Sequence, residues 1–286
     1  MGDFLRPDGY AGPQGLRALS REGSVVAEAA RYLVRARADR RAAAAQPYVG
    51  HHRPADIEPV LLVPGFMAGD STLAGMAKML RGAGYRTYRS HIHVNSGCTR
   101  DAADKIERRI ESIALRRGRK VSIVGHSLGG MLARGLASRR PDLVAGIVSM
   151  GSQILAPAAV HDILAWDADL LTRLTRAGFG GLMSEDCIAG DCARASFEET
   201  HAPLDPEVGF TAIYSKRDGI VDWRACIDPA AIAVEVRTSH VGMAFDPLVF
   251  DAVRHALDGQ RIDRVNRASR DEAGSGTARL LPVGNS

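Results

Sequence analysis

Lys120 to Ala133 reads KVSIVGHSLGGMLA. Val121, Ser122, Ile123 and Val124 form a short, uncharged and largely β-branched run, the mark of a buried strand. Gly125-His126-Ser127-Leu128-Gly129 follows at once, a G-x-S-x-G sequence. Leu128, Met131, Leu132 and Leu136 then recur at helical spacing. A serine between strand and helix takes a tight, strained turn that pushes its hydroxyl outward. Glycines on either side leave room where a Cβ would crowd neighbouring backbone. The Leu128 N–H lies at the helix N-terminus, where negative charge is favoured.

Around this stretch, strands and helices alternate. Val60-Leu61-Leu62-Val63 reads as a strand running into Pro64-Gly65-Phe66-Met67-Ala68-Gly69. Leu73, Met76, Ala77 and Leu80 mark the next helix, and Tyr85 to Val94 a strand. Ile106, Ile110 and Ile113 give the buried face of a further helix. Leu143 to Met150 is continuously apolar, as a parallel sheet covered on both faces requires. Phe210 to Ser215 and Val234 to Arg237 are the last two strands. Residues 153–207 break the rhythm and read as an insertion able to cover the serine as a cap or lid. The expected architecture is α/β: a mostly parallel central sheet with helices on both faces and a cap. The expected organisation is an N-terminal loop, helix and linker over 1–58, the main domain over 59–258, and a polar tail over 259–286.

Upstream, residues 1–20 read as loop and 21–46 as a helix. Val26, Ala29, Ala30 and Leu33 would face inward; Glu28, Arg31, Arg35 and Arg37 would face solvent.

The 286 residues are 45% hydrophobic, enough for a large core, and carry 37 basic and 33 acidic side chains. A net charge of +4 with both signs interleaved reads as a solvated surface, not a nucleic-acid footprint. No apolar leader and no run approaching 18 apolar residues is visible, so the expectation is a cytoplasmic chain without a transmembrane span. Cys98, Cys187, Cys192 and Cys226 are then expected as free thiols, although Cys187 and Cys192 could staple a loop. Cys-x4-Cys lacks a second pair, and His91-x-His93 lacks further ligands, so no metal or cofactor is expected.

Three polar groups follow three strands in the order Ser127, Asp218, His240. Sites in open parallel sheets gather at the carboxyl ends of strands. A serine hydroxyl needs a base to take its proton; histidine can accept and return it; a carboxylate fixes the imidazole tautomer. Asp222 is a rival for the acid. His126 adjoins the serine but diverges at the elbow, so it reads as a pocket or packing group. Phe66 N–H, with Met67 second, and Leu128 N–H are candidate oxyanion donors.

VLLVPGF, KVSIVGHSLGG, FTAIYSKRDGIVD and VRTSHVGMAF, spread over about residues 59–257, resemble the α/β-hydrolase superfamily and within it bacterial esterase/lipase-like hydrolases. The resemblance implies Ser127 as nucleophile, His240 as base and Asp218 as acid, with oxyanion donors at Phe66 and Leu128. It departs at Pro64-Gly65, where many such lipases carry His-Gly. The implied reaction is hydrolysis of a small ester through an acyl-enzyme, without metal or cofactor. Met67, His126 and Ile154 are the expected substrate contacts. An acyltransferase or thioesterase with the same three residues is the enzymatic alternative, and a non-catalytic ligand-binding relative the alternative of another class.

Overall fold

A computed structural model describes residues 2–45 and 58–277. Six strands form one sheet: β1 (Pro59–Val63), β2 (Arg86–Arg89), β3 (Val121–His126), β4 (Val144–Met150), β5 (Gly209–Tyr214) and β6 (Ile232–Glu235). Their order is β2-β1-β3-β4-β5-β6, and every neighbouring pair is parallel. β1, β3 and β4 are buried along their whole length, which is why their sequences are continuous apolar runs. β2 is shorter than the Tyr85–Val94 run suggests. Beyond Arg89 the backbone turns to the Asp70 carboxylate, which accepts from the Ser90 and His91 N–H groups at 3.1 and 2.9 Å.

Alternate side chains feed two cores. Leu61, Val63 and Ile123 pack with α4 (Thr99–Arg117) and α5 (Leu128–Arg139) on one face. Val60, Leu62 and Val124 pack with α3 (Ala74–Gly82) and α9 (Pro247–Thr277) on the other. After β1 the chain moves outward to β2, then returns to the opposite side of β1 as β3. The reversal opens a crevice at the carboxyl ends of β1 and β3, where Phe66 and Ser127 lie.

Between β4 and β5 the chain leaves the sheet as α6 (Asp162–Arg176), α7 (Asp186–Ala189) and α8 (Asp191–His201). This excursion is stitched to the loop after β5. Val160 bridges Val221, and the His161 and Leu155 N–H groups donate to Ile220 and Ala225 carbonyls at 2.6 and 3.0 Å.

Two expectations are corrected. The N-terminal segment forms α1 (Gly15–Glu22) and α2 (Val25–Ala45), and α2 docks along Glu28 and Tyr32 instead of along Val26 and Leu33. Glu28 is fully buried, whereas Val26 and Leu33 are 73% and 51% exposed. The reason is electrostatic: Glu28 and Arg31 meet Ser239 and the buried Asp246, partners no apolar face could satisfy. Of the linker expected over 47–58, residues 47–57 lie outside the described residues. Second, the closing helix does not give way to a polar tail near Gly259 but continues to Thr277. Gln260 is buried and donates to Ile147 O and Thr211 Oγ1 at 3.0 and 3.1 Å; Arg264 reaches Ala145 O at 3.1 Å. Gly146 and Gly209 supply the notch, since a Cβ on either would strike the Gln260 side chain. Residues 278–286 lie outside the described residues.

Candidate active site

Ser127 sits between β3 and α5 at φ 52° and ψ −123°, a region a non-glycine residue occupies only under constraint. Its neighbours impose it. A Cβ on Gly125 would fall 2.4 Å from Gly129 O, and one on Gly129 2.3 Å from Val63 O. The Ser127 N–H donates to Met150 O at 2.8 Å, and Ser127 O accepts from the Gly130 N–H at 3.0 Å.

His240 follows the loop after β6. Its Nδ1 lies 2.7 Å from Asp218 Oδ2, so Nδ1 carries the proton and Nε2 is left to face the cavity. Asp218 is itself fixed: its other oxygen accepts from the Ile220 and Val221 N–H groups, both at 2.8 Å. Burial alone would lower the His240 pKa; the charge and hydrogen bond of Asp218, with the charge of Glu22, raise it above its ordinary value. Asp222 turns elsewhere. It accepts from the Ala11 and Arg224 N–H groups and pairs with the Arg224 guanidinium at 2.7 Å. Burial pushes its carboxyl up, but those bonds leave it below the usual range.

Ser127 and His240 line one cavity of about 440 Å³, together with Gly65, Met67, His126 and Val241. Among the described residues no hydrogen bond joins the Ser127 hydroxyl to the imidazole; such contacts often tighten only when a ligand is bound. On its other side Ser127 opens into an apolar cavity of about 140 Å³ beneath the α6–α8 excursion, walled by Leu128, Met131, Leu164, Met183 and Phe197. Phe66 and Leu164 border both.

Two backbone donors are free beside the serine. Among the described residues neither the Phe66 nor the Leu128 N–H donates to a protein acceptor, whereas the Met67 N–H donates to Asn95 O at 3.0 Å. That bond, the Asn95 N–H to Ala68 O (2.8 Å) and Asn95 Nδ2 to Pro64 O (3.0 Å) make the buried Asn95 a clasp on residues 64–68.

His126 and Met67 border the cavity. Ile154 does not: it is fully buried in the core packed on α4 and α5 and lines neither cavity. The apolar run after β4 turns inward there into the core instead of toward the excursion. His126 Nε2 lies 3.0 Å from His240 O and therefore donates to it. Burial, then the neighbouring His240, hold His126 down to about pKa 3, so it stays neutral.

Sequence reasoning missed Glu22 and Glu28. The His240 and Gly219 N–H groups both donate to Glu22 Oε1 at 2.9 Å, and the Val241 N–H to Oε2 at 3.2 Å. Glu28 Oε1 accepts from the Ser239 N–H at 2.8 Å, and its other oxygen from the Ser239 hydroxyl. Glu22 ties the loop bearing Asp218 to the loop bearing His240. Partners some 200 residues apart leave no local signal for either glutamate.

Sheet, elbow and crevice are those of the α/β-hydrolase fold. A family model described as alpha/beta hydrolase fold matches residues 79–179. Over 113 residues, 37% of this chain, the sequence is 34% identical to a triacylglycerol lipase of Vibrio cholerae; the match takes in 35% of that lipase. The structure is similar to the mature lipase BlEst2 of Bacillus licheniformis, with a TM-score of 0.56 and 18% identity over 74% of this chain and 96% of that one. It is also similar to Est1E of Butyrivibrio proteoclasticus in complex with ferulic acid, with a TM-score of 0.50 and 15% identity over 75% of this chain and 94% of that one. No described helix is long and apolar enough to cross a membrane.

Proposed function

We propose that this chain hydrolyses carboxylic esters through an acyl-enzyme on Ser127. The observation that carries the reading is the Asp218–His240 pair, bonded at 2.7 Å, with the imidazole lining the same cavity as a strained serine. Ser127 Oγ attacks the acyl carbonyl and passes its proton to His240 Nε2. The oxyanion collects the Phe66 and Leu128 N–H groups, each worth about 3–4 kcal/mol where such donors have been removed. As the intermediate collapses, His240 returns the proton to the leaving alkoxide and the alcohol departs. Water, deprotonated by the same nitrogen, then releases the acid and restores Ser127.

The two cavities suit the two halves of an ester. The apolar space under the cap takes the acyl group; the space beside His240 takes the alcohol. A volume near 140 Å³ matches a group of about six carbons, since a 150 Å³ apolar cavity accommodates benzene. The substrate class is therefore a short- or medium-chain ester.

Labelling with a fluorophosphonate probe tests the reading, beside hydrolysis of p-nitrophenyl esters. Stoichiometric labelling with turnover, both lost in Ser127→Ala, is expected. Activity of Ser127→Ala within tenfold of the parent would remove Ser127 from the reaction.

A further inference from the structure

Three of the four cysteines meet at one point. Cys98 stands immediately before α4 in the sheet domain, Cys187 lies in α7, and Cys192 lies in the first turn of α8. Their sulfurs all lie within 4.8 Å of one another, and Cys98 Sγ is 3.4 Å from Cys192 Sγ. A tetrahedral Zn²⁺ with bonds of about 2.3 Å holds its sulfurs about 3.8 Å apart, so small side-chain adjustments would bring all three into range. A disulfide would use two sulfurs and strand the third.

The surroundings are built to hold this arrangement. Asp186 Oδ1 accepts the Cys192 N–H at 3.3 Å and fits only because residue 190 is glycine, where a Cβ would lie 2.2 Å from that oxygen. Ser184 Oγ lies 3.5 Å from Cys187 Sγ. The Met183 N–H donates to Ser96 O at 2.9 Å, laying the cap chain beside the segment that carries Cys98. Cys226 is apart, buried with Val160 and Val221.

We propose that Cys98, Cys187 and Cys192 form a three-thiolate site for a thiophilic divalent cation, Zn²⁺ foremost, which clamps the cap to the sheet domain. This departs from the expectation of four free thiols without metal. On binding, three S–H bonds are lost, their protons pass to solvent, three metal–sulfur bonds form, and a fourth position is left to water. No redox step is involved. Cys187 also walls the apolar cavity, so the clamp would fix the shape of that cavity from outside the Ser127 chemistry.

The test is titration of the full chain, reduced and anaerobic, with Cd²⁺ followed by its ultraviolet thiolate charge-transfer band, then with Zn²⁺ against a chromophoric chelator. One equivalent is expected to saturate the site. Cys98→Ser, Cys187→Ser and Cys192→Ser should each weaken binding by at least about 100-fold, beyond the range for outer-shell partners; Cys226→Ser should bind like the parent. A second measurement needs no variant: Zn²⁺ should raise the melting temperature of the parent, and a chelator should reverse it. Absence of stoichiometric binding, binding indifferent to the three substitutions, or a melting temperature unmoved by Zn²⁺ would overturn the proposal. So would a disulfide among the three thiols in protein that, once reduced, takes no metal. Fluorophosphonate labelling of Ser127 is scored separately and bears on neither result.

Discussion

Glu22→Ala removes one half-buried carboxylate that accepts three backbone N–H groups, from Gly219, His240 and Val241, at 2.9, 2.9 and 3.2 Å. Hydrogen bonds to a charged acceptor contribute about 1.5–3 kcal/mol each when buried. Water reaches this site and replaces part of each bond, which lowers the figure to about 1 kcal/mol per bond, or about 3 kcal/mol in all. For a chain of this size that is a melting temperature lower by roughly 6–12 °C. The catalytic effect is separable. Glu22 ties the Asp218 loop to the His240 loop, and misplacing a reacting group by about 1 Å costs on the order of 100-fold. The kcat/KM for p-nitrophenyl butyrate should fall roughly 10- to 100-fold. Glu22→Gln keeps the carbonyl acceptor for His240 and Gly219 but turns its amide N–H toward the Val241 N–H, so it should melt between the parent and Glu22→Ala. It still loses the negative charge that helps raise the His240 pKa, so the acid limb of kcat/KM should move to lower pH. Calorimetry and a pH–rate profile of both variants decide the matter. Glu22→Ala melting within about 1 °C of the parent, with an unmoved acid limb, would refute the strap as a positioning device.

Asp218→Asn should lower kcat by about 10⁴-fold by disturbing the His240 tautomer, whereas Asp222→Asn should act on stability, not on turnover. Steady-state kinetics beside thermal melts separate the two, and the reverse order would move the acid to Asp222. His126 titrates about pH 3 in the folded chain and near 6.5 unfolded, so the unfolded state gains its proton first as pH falls. The stability this gives is complete above pH 6.5 and drains away toward pH 3, by about 1 kcal/mol between pH 6 and 5. Denaturant titrations should show that slope in the parent and not in His126→Asn. His240 has the opposite sign: its raised pKa contributes stability present below pH 6.5 and lost as pH rises through the folded value. Hydrolysis of p-nitrophenyl esters should peak at acyl chains of about four to six carbons and fall for palmitate; a preference for palmitate would mean that the cap opens well beyond 140 Å³.

The sheet could be read from the sequence because β1, β3 and β4 are buried on both faces and so are uninterrupted apolar runs. Ser127, Asp218 and His240 could be picked out for a related reason: each follows a strand, and a parallel sheet delivers all such loops to one end. Its earlier place in the loop after β5 already favours Asp218 over Asp222, and the hydrogen bonds point the same way, Asp218 meeting His240 and Asp222 meeting Arg224. Ile154 misled because an apolar residue after β4 has the same composition whether it lines a cavity or fills a core. For α2 the usual rule fails. Hydrophobic periodicity picks the face bearing Val26 and Leu33, but the buried need at this contact is for acceptors, which Glu28 supplies. Gly259 and the arginines after it suggest an ending; the signal to continue, Gln260 fitting a notch between Gly146 and Gly209, exists only in three dimensions.

The pairing of Glu22 with His240 also has a meaning in time. Synthesis runs from the N-terminus, so α1 and α2 emerge long before the loop they hold, 218 residues later in the chain. Until that loop has left the ribosome, Glu28 has no Ser239 to meet, and a carboxylate buried in the finished protein must stay in water. The segment of α1 and α2 is thus made well before its partner and docked late, a contact order that slows folding and prolongs exposure of what it covers. A chain lacking α1 would leave His240 without this anchor.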